Sequence, residues 1–247
     1  DSPVYAIAND GTDVLVGGVF MGVSGLARAD LAELDFDLSS ASYGQPTTWD
    51  PGTNTGEVLT LAYGFPLAIE VIVAGGTFTT VSGGAADGCA FIFPNGGLAV
   101  ANTVVTGGTL RGLDWFEQDN QLIFSGDFTN INLTAAIFLV SPANLFLWDA
   151  AGDPTNPVSL GDPDGNVQDV AVEGNTVYLA GDFTTVDLQA RNGAAAYDRV
   201  TGMLDPWNPD VTKAGGVAGS VKTMALGADK VYLGGDFSEV AGTTNPK

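Results

Sequence analysis

The chain has 247 residues, 45% hydrophobic and 15% charged, with 34 glycines and 12 prolines, enough apolar material for one large all-β domain or two ordinary ones broken by frequent turns. Its 29 acids, 23 of them Asp, stand against 8 bases, a formal charge of −21 that excludes nucleic acid and disfavours an anionic membrane surface, since both need clustered Lys and Arg. The chain has no histidine, which excludes a Ser–His–Asp triad, a Cys–His pair and a histidine-ligated metal centre, and its single cysteine, Cys89, excludes an internal disulfide.

From the N-terminus, VYAIA (4–8) alternates as a short strand, the polar turn NDGTD follows, and LVGGVF ends on Phe20. LAELDF is the next strand, and TTWDP closes the unit with Trp49 beside Asp50. The same order returns as VLTLAY (58–63), VAGGTF ending on Phe78, and CAFIF, which places Cys89 in a buried strand. LAIEVIVAGG, the most apolar run, carries Glu70 and is too short to cross a membrane. TVVTGGT (103–109) stands where a tryptophan-bearing segment is expected. A third unit reads LRGLDW (110–115), IFSGDF to Phe128, AAIFLV as third strand and LFLWDA as fourth, with Trp148 beside Asp149. A fourth reads VQDVAV (167–172), LAGDF to Phe183, AAAYD, and LDPWNP with Trp207 beside Asn208. VKTMAL (221–226), the turn GADK and LGGDF to Phe237 follow, and the chain closes on TTNPK. Period-two alternation, β-branched residues and turn signals argue strands throughout, and no stretch carries a helical stripe.

Phe20, Phe78, Phe128, Phe183 and Phe237 lie 58, 50, 55 and 54 residues apart. Four short strands per period, repeated, predict a β-propeller with blades near 3–56, 57–108, 109–165, 166–219 and an incomplete 220–247. One small twisted sheet cannot bury both faces, so neighbouring blades must. The glycine pairs Gly17–Gly18, Gly75–Gly76 and Gly234–Gly235 are expected to leave room for the adjacent blade, with each Phe filling the gap between blades. The chain holds four full blades and half of a fifth. It is therefore expected to be part of a larger propeller, or a subunit completed by another chain. It begins at Asp1 without Met, which fits either a removed leader or a piece of a longer protein.

The units VYLAGDFTTVDLQARNGAAAYDRVTGMLDPWNPD and VKTMALGADKVYLGGDFSEVAG resemble the delta-60 repeat, a propeller repeat of large secreted bacterial and archaeal surface proteins. The resemblance covers essentially the whole chain and is closest in the fourth and fifth units. It implies an extracellular or cell-surface module and brings no catalytic residues with it. Val19 and Thr77 depart from the pattern, standing where the later copies have Asp.

The recurring acids Asp127, Asp182 and Asp236 read either as an arc that binds a cation or ligand, or as caps on backbone amides at a strand bend. In GDPDGNVQDVAVE, Asp162, Asp164, Asn166 and Glu173 fall on positions one, three, five and twelve of an EF-hand. Val167 occupies the glycine position, and the strand VQDVAV carries Glu173 away, so this is no EF-hand. Asp162 and Asp164 remain candidate Ca²⁺ ligands in an Asp-rich turn. Trp49, Trp148 and Trp207 are candidate sugar shelves, or else packing between blades. Asn132-Leu-Thr134 is the one N-glycosylation sequon and is expected in a loop. The expected function is a structural or interaction module for adhesion, surface-layer or filament assembly, binding protein or glycan partners and self-associating. The alternative is a lectin-like or carbohydrate-active propeller using Asp, Glu and Trp.

Overall fold

The computed structural model describes residues 2–53, 56–64, 69–100, 103–116, 121–132, 145–149, 158–159, 161–241 and 243–244. Among them every regular element is a strand and there is no helix. The first unit is an antiparallel sheet of β1 (Val4–Asn9), β2 (Val14–Gly18) and β3 (Leu31–Leu34), to which Pro46 adds one bridge at Leu34. The second is a four-stranded meander of β4 (Val58–Gly64), β5 (Val71–Gly76), β6 (Cys89–Ile92) and β7 (Leu98–Val100). The third runs β8 (Leu110–Phe116), β9 (Gln121–Gly126), β10 (Leu145–Asp149) and β11 (Val158–Ser159). The fourth runs β12 (Val167–Glu173), β13 (Thr176–Gly181), β14 (Ala194–Asp198) and β15 (Met203–Leu204). The last is a hairpin of β16 (Ser220–Gly227) and β17 (Lys230–Asp236).

The repeat is visible in the backbone itself. Each first strand pairs with its second through a register shift at the same place: Val4/Ala6, Val58/Thr60, Leu110/Gly112, Val167/Asp169 and Val221/Thr223. A bulge kinks the strand and sharpens its twist. Opposite it lies the last glycine of the motif, Gly18, Gly76, Gly126, Gly181 or Gly235. A Cβ there would collide with the carbonyl oxygen of Pro3, Glu57, Thr109, Asn166 or Ser220 respectively. The preceding residue serves the neighbour instead: a Cβ on Gly17 would strike Val58, and one on Gly75 would strike Leu110. Within a glycine pair, then, one residue admits the unit's own bulge and the other admits the next unit's side chain.

The turn into the third strand also repeats. Asp30, Gly88 and Gly193 have φ of 62°, 75° and 70°, and each donates its N–H to the carbonyl of the unit's phenylalanine, Phe20, Phe78 or Phe183. Asp30 is tolerated in this glycine conformation because its carboxylate accepts Phe20 N–H at 3.0 Å and the Thr53 hydroxyl at 2.5 Å.

Apolar clusters straddle the units. One joins Leu15, Leu31 and Trp49 of the first unit to Val58, Phe78 and Ile92 of the second. Others join the second to the third around Phe128, the third to the fourth around Phe183, and the fourth to the last hairpin around Val221. Phe78 and Phe183 are 0% exposed, Phe20 and Phe128 are buried, and Phe237 is half-buried. Val58, Leu110, Val167 and Val221, the leading apolar residues of the first strands, are 0% exposed, whereas their counterpart Val4 is 49% exposed.

The third unit departs from its expected layout. Its third strand is LFLWD, paired with β9 from Leu122↔Trp148 to Ser125↔Leu145, so Trp148 stands in the third strand and not the fourth. AAIFLV lies outside the described residues. The segment TVVTGGT forms a strand at Thr103–Thr106 that pairs antiparallel with Asn130–Asn132 and parallel with Gly84–Asp87, bridging the second and third units. Asn132 was expected in a loop and instead pairs with Val104, because buried Ile131 holds the segment in the strand.

Candidate functional site

The first strand of each unit packs beside that of the next, β1 with β4, β4 with β8, β8 with β12 and β12 with β16. All five first strands line two adjoining cavities of about 310 and 430 Å³ that share Ile7, Leu61, Leu113 and Met224. Tyr5, Leu59, Arg111, Gln168 and Lys222, one from each strand at the position after the leading residue, line the smaller. Every described unit contributes to this concave feature, and the polar groups around it are the candidate site.

The recurring acids are neutralised within the protein. Asp127 accepts Thr109 N–H at 2.6 Å and pairs with Arg111 at 3.3 Å. Asp182 accepts Gln168 Nε2 at 2.7 Å, Lys222 Nζ at 3.1 Å and the Ser220 hydroxyl. Burial pushes its carboxyl up, but bonds from Ser220, Gln168 and Lys222 outweigh this and hold it below the ordinary range. Asp236 pairs with Lys213. Asp127 caps a backbone amide, all three carry ion pairs, and Asp182 ties the fourth unit to the fifth.

Deeper lie two acids that did not stand out in the sequence. Asp114 of β8 accepts Val172 N–H of β12 at 2.7 Å and Trp115 N–H at 2.8 Å, one on each oxygen. Asp169 of β12 accepts Met224 N–H of β16 at 2.8 Å, the Thr223 hydroxyl at 3.1 Å and Val170 N–H at 2.9 Å. Since β12 and β16 each have a strand on one side only, an acid from the neighbouring unit supplies the acceptor that a further strand would. Burial pushes Asp114 up from 3.8 to about 6, with the Asp169 charge adding to the shift and the amide bonds opposing it. Burial also raises Asp169, against its hydrogen bonds. An acid poised near neutrality can serve as a general acid or base, yet both Asp114 oxygens are committed to backbone amides. The arrangement is that of a clasp between units. Its sequence signal was an acid inside an apolar alternating strand, LRGLDW and VQDVAV.

The remaining candidates lie apart from this cavity. Asp164 Oδ1 accepts Thr184 N–H at 2.7 Å and Thr185 N–H at 2.9 Å, and its Oδ2 accepts the Thr184 hydroxyl at 2.6 Å. These bonds outweigh its desolvation and hold its carboxyl below the ordinary range. Asp162 donates its backbone N–H to Asp187 at 2.9 Å. Asp164→Ala should therefore lower stability by about 1 kcal/mol in calcium-free buffer, the net worth of such bonds. An unchanged urea midpoint without calcium, with loss only in its presence, would instead make Asp164 a metal ligand.

Trp49 is 5% exposed, and its Nε1 donates to Phe93 O at 3.5 Å, so it packs between units. Trp207 is half-buried, edge-on to Tyr178 at 5.2 Å and 87°, and lines a groove of about 430 Å³ with Glu173, Pro209, Asp229 and Leu233. The Trp148 backbone sits in β10. Asp10, Asp13 and Glu33 bring three carboxylate oxygens within 4.8 Å of one another. Each also accepts a local hydrogen bond, from Thr12 and Asp13 N–H, Phe36 N–H and the Thr47 hydroxyl respectively. Cys89 is buried, which pushes its thiol far up and leaves it unreactive.

No family model matches the chain, and no curated protein does. Among solved structures the chain is similar to the computationally designed Ika4 protein, with 15% identity over 80% of this chain and 92% of that one and a TM-score of 0.44. It is also similar to the computationally designed Ika8 protein, with 12% identity over 97% and 95% and a TM-score of 0.34. At these values neither likeness supports an architecture. No helix among the described residues is long and apolar enough to cross a membrane.

Proposed function

We propose that the chain is a segment of an extracellular β-propeller of the delta-60 repeat kind, four blades and half of a fifth, acting as a structural or interaction module. In this reading its loops and faces bind protein or glycan partners in adhesion, surface-layer or filament assembly. The observation that carries it is the pair of adjoining cavities lined by the first strands of all five units, with the acids around them committed to holding neighbours together. Conserving polar groups for cohesion leaves the loops and outer faces as the surfaces that meet partners. Fold alone does not fix a function, so the test must read binding directly.

A second reading, a lectin-like propeller, is favoured by one feature, the Trp207–Tyr178 pair at the rim of a groove that also holds Glu173 and Asp229. The two separate on a glycan array, a polysaccharide-turnover assay and light scattering run on the same preparation. Self-association that strengthens with salt, as screening relieves a charge of −21, with neither glycan binding nor turnover, supports the structural module. Glycan binding abolished by Trp207→Ala supports the lectin. Turnover of a polysaccharide would overturn both.

A further inference from the structure

Twice in this protein one carboxylate bridges two neighbouring first strands. Asp114 accepts the N–H of the residue after it, Trp115, and the N–H of Val172 at the corresponding place in the next unit. Asp169 does the same with Val170 and Met224, and also accepts the Thr223 hydroxyl. These amides can meet a side chain because each first strand is paired on one side only. Alternate N–H groups then point away from the second strand, toward the neighbouring unit.

The joint between the first and second units has the same frame. Ala6, Ile7, Thr60 and Leu61 stand opposite Gly17, Val16, Gly75 and Ala74. Asp169, Val170, Thr223 and Met224 stand opposite Ala180, Leu179, Gly234 and Leu233. Residue for residue, the Ile7 and Leu61 amides match those of Val170 and Met224, Thr60 matches Thr223, and Ala6 replaces Asp169. Neither amide has a side-chain acceptor among the described residues. The Thr60 hydroxyl likewise has no partner there, in a residue only 7% exposed. All four residues line the cavity of about 310 Å³. The two middle joints differ, because Gly112 and Asp169 stand where a hydroxyl is needed on the following strand.

The geometry points to a binding site for a small carboxylate between β1 and β4. One carboxylate oxygen accepts Ile7 N–H, and the other accepts Leu61 N–H and the Thr60 hydroxyl, as the oxygens of Asp169 do with their own three donors. Buried donors without acceptors cost stability, so a ligand that brings both oxygens recovers what Asp169 supplies two joints further on. The bases Arg111 and Lys222 line the same cavity, which moderates the repulsion that a net charge of −21 imposes on an anion. All three donors lie between two described units that pack directly on each other. The recognised chemistry is the acid group itself, borne by a free acid or by a uronic-acid sugar. The site is independent of what the loops and outer faces bind.

Acetate, D-glucuronate and neutral D-glucose are titrated separately into the full chain at constant ionic strength, with backbone amides followed by NMR. Both acids should shift the Ile7 and Leu61 amides saturably, and glucose should leave them unmoved. Tighter binding of glucuronate than of acetate assigns a sugar acid, and equal affinity assigns the free acid group. Thr60→Val keeps the side-chain shape without the hydroxyl and should weaken either acid about fivefold, the worth of one hydrogen bond. Ala6→Asp installs the acid that the fourth unit carries. In that variant the two amides should be displaced without ligand, and acetate should no longer move them. If Ala6→Asp does not fold, Thr60→Val decides alone. No shift at decimolar acetate, shifts confined to other strands, an equal response to glucose, or undiminished binding by Thr60→Val would overturn the inference. The light-scattering and turnover measurements above read other surfaces and stand or fall separately.

Discussion

Phe183→Ala unfolds more easily than the parent by about 3–5 kcal/mol, the range for deleting a fully buried aromatic side chain. Phe183 is 0% exposed and belongs to the cluster that joins Ile123 of the third unit to Val167, Leu179 and Tyr197 of the fourth. Removing the ring leaves a void at a joint between two sheets, and close-packed interiors relax only partly around such voids. Urea unfolding measures the effect. Phe237→Ala provides the internal scale: its ring is half-buried against the last hairpin, so its loss should cost about 1–2 kcal/mol. Equal midpoints for Phe183→Ala and the parent would mean that the joint between these units carries no stability.

The second large effect concerns pH. The Asp114 carboxyl is raised in the folded chain from 3.8 to about 6, so folding favours its protonated form. The stability this group contributes is fully present below pH 3.8 and is lost as the pH rises through about 6. Asp114→Asn removes the titration while keeping one acceptor oxygen. The stability of the parent relative to this variant should therefore rise by about 2–3 kcal/mol as the pH falls from 7.5 to 4, at about 1.4 kcal/mol for each tenfold of proton affinity. The constant offset between the two, which includes the amide bond that Asn cannot accept, does not enter that slope. Asp182 and Asp164 act in the opposite sense, since carboxyls held low lose their contribution on acidification, and subtracting the variant's curve cancels them. A flat difference curve, or one that falls toward acid, would mean that Asp114 is not buried as a clasp.

Local pattern in this sequence carried the repeating architecture far better than it carried the site. The even spacing of five phenylalanines, the glycine pairs and the alternating strands mark the units because each depends on short-range geometry: a bulge, a turn, a side chain facing its neighbour. The third unit departs from the local pattern where two apolar runs, AAIFLV and LFLWDA, compete for one position; both alternate, and pairing with β9 selects the second. Asn132 looked like loop for the same reason, a short polar stretch whose strand partner, Thr103–Thr106, lies in another unit. The tryptophans divide by neighbour and not by motif. Trp49 is sealed by the second unit, whereas Trp207 meets an open groove. Asp114 and Asp169 were hidden among so many acids because their role depends on an amide 58 or 55 residues away, a distance no local pattern records.

Because Phe78, Phe128 and Phe183 sit in cores shared by two sheets, cooperativity passes sideways between neighbouring sheets. A lesion at one of these shared cores therefore loosens two sheets at once, whereas one in the cluster of Val16, Phe20 and Ala32 touches the first sheet alone. The same change in sequence is thus graver in a shared core than in a private one, and tolerance to mutation follows how many sheets a side chain serves.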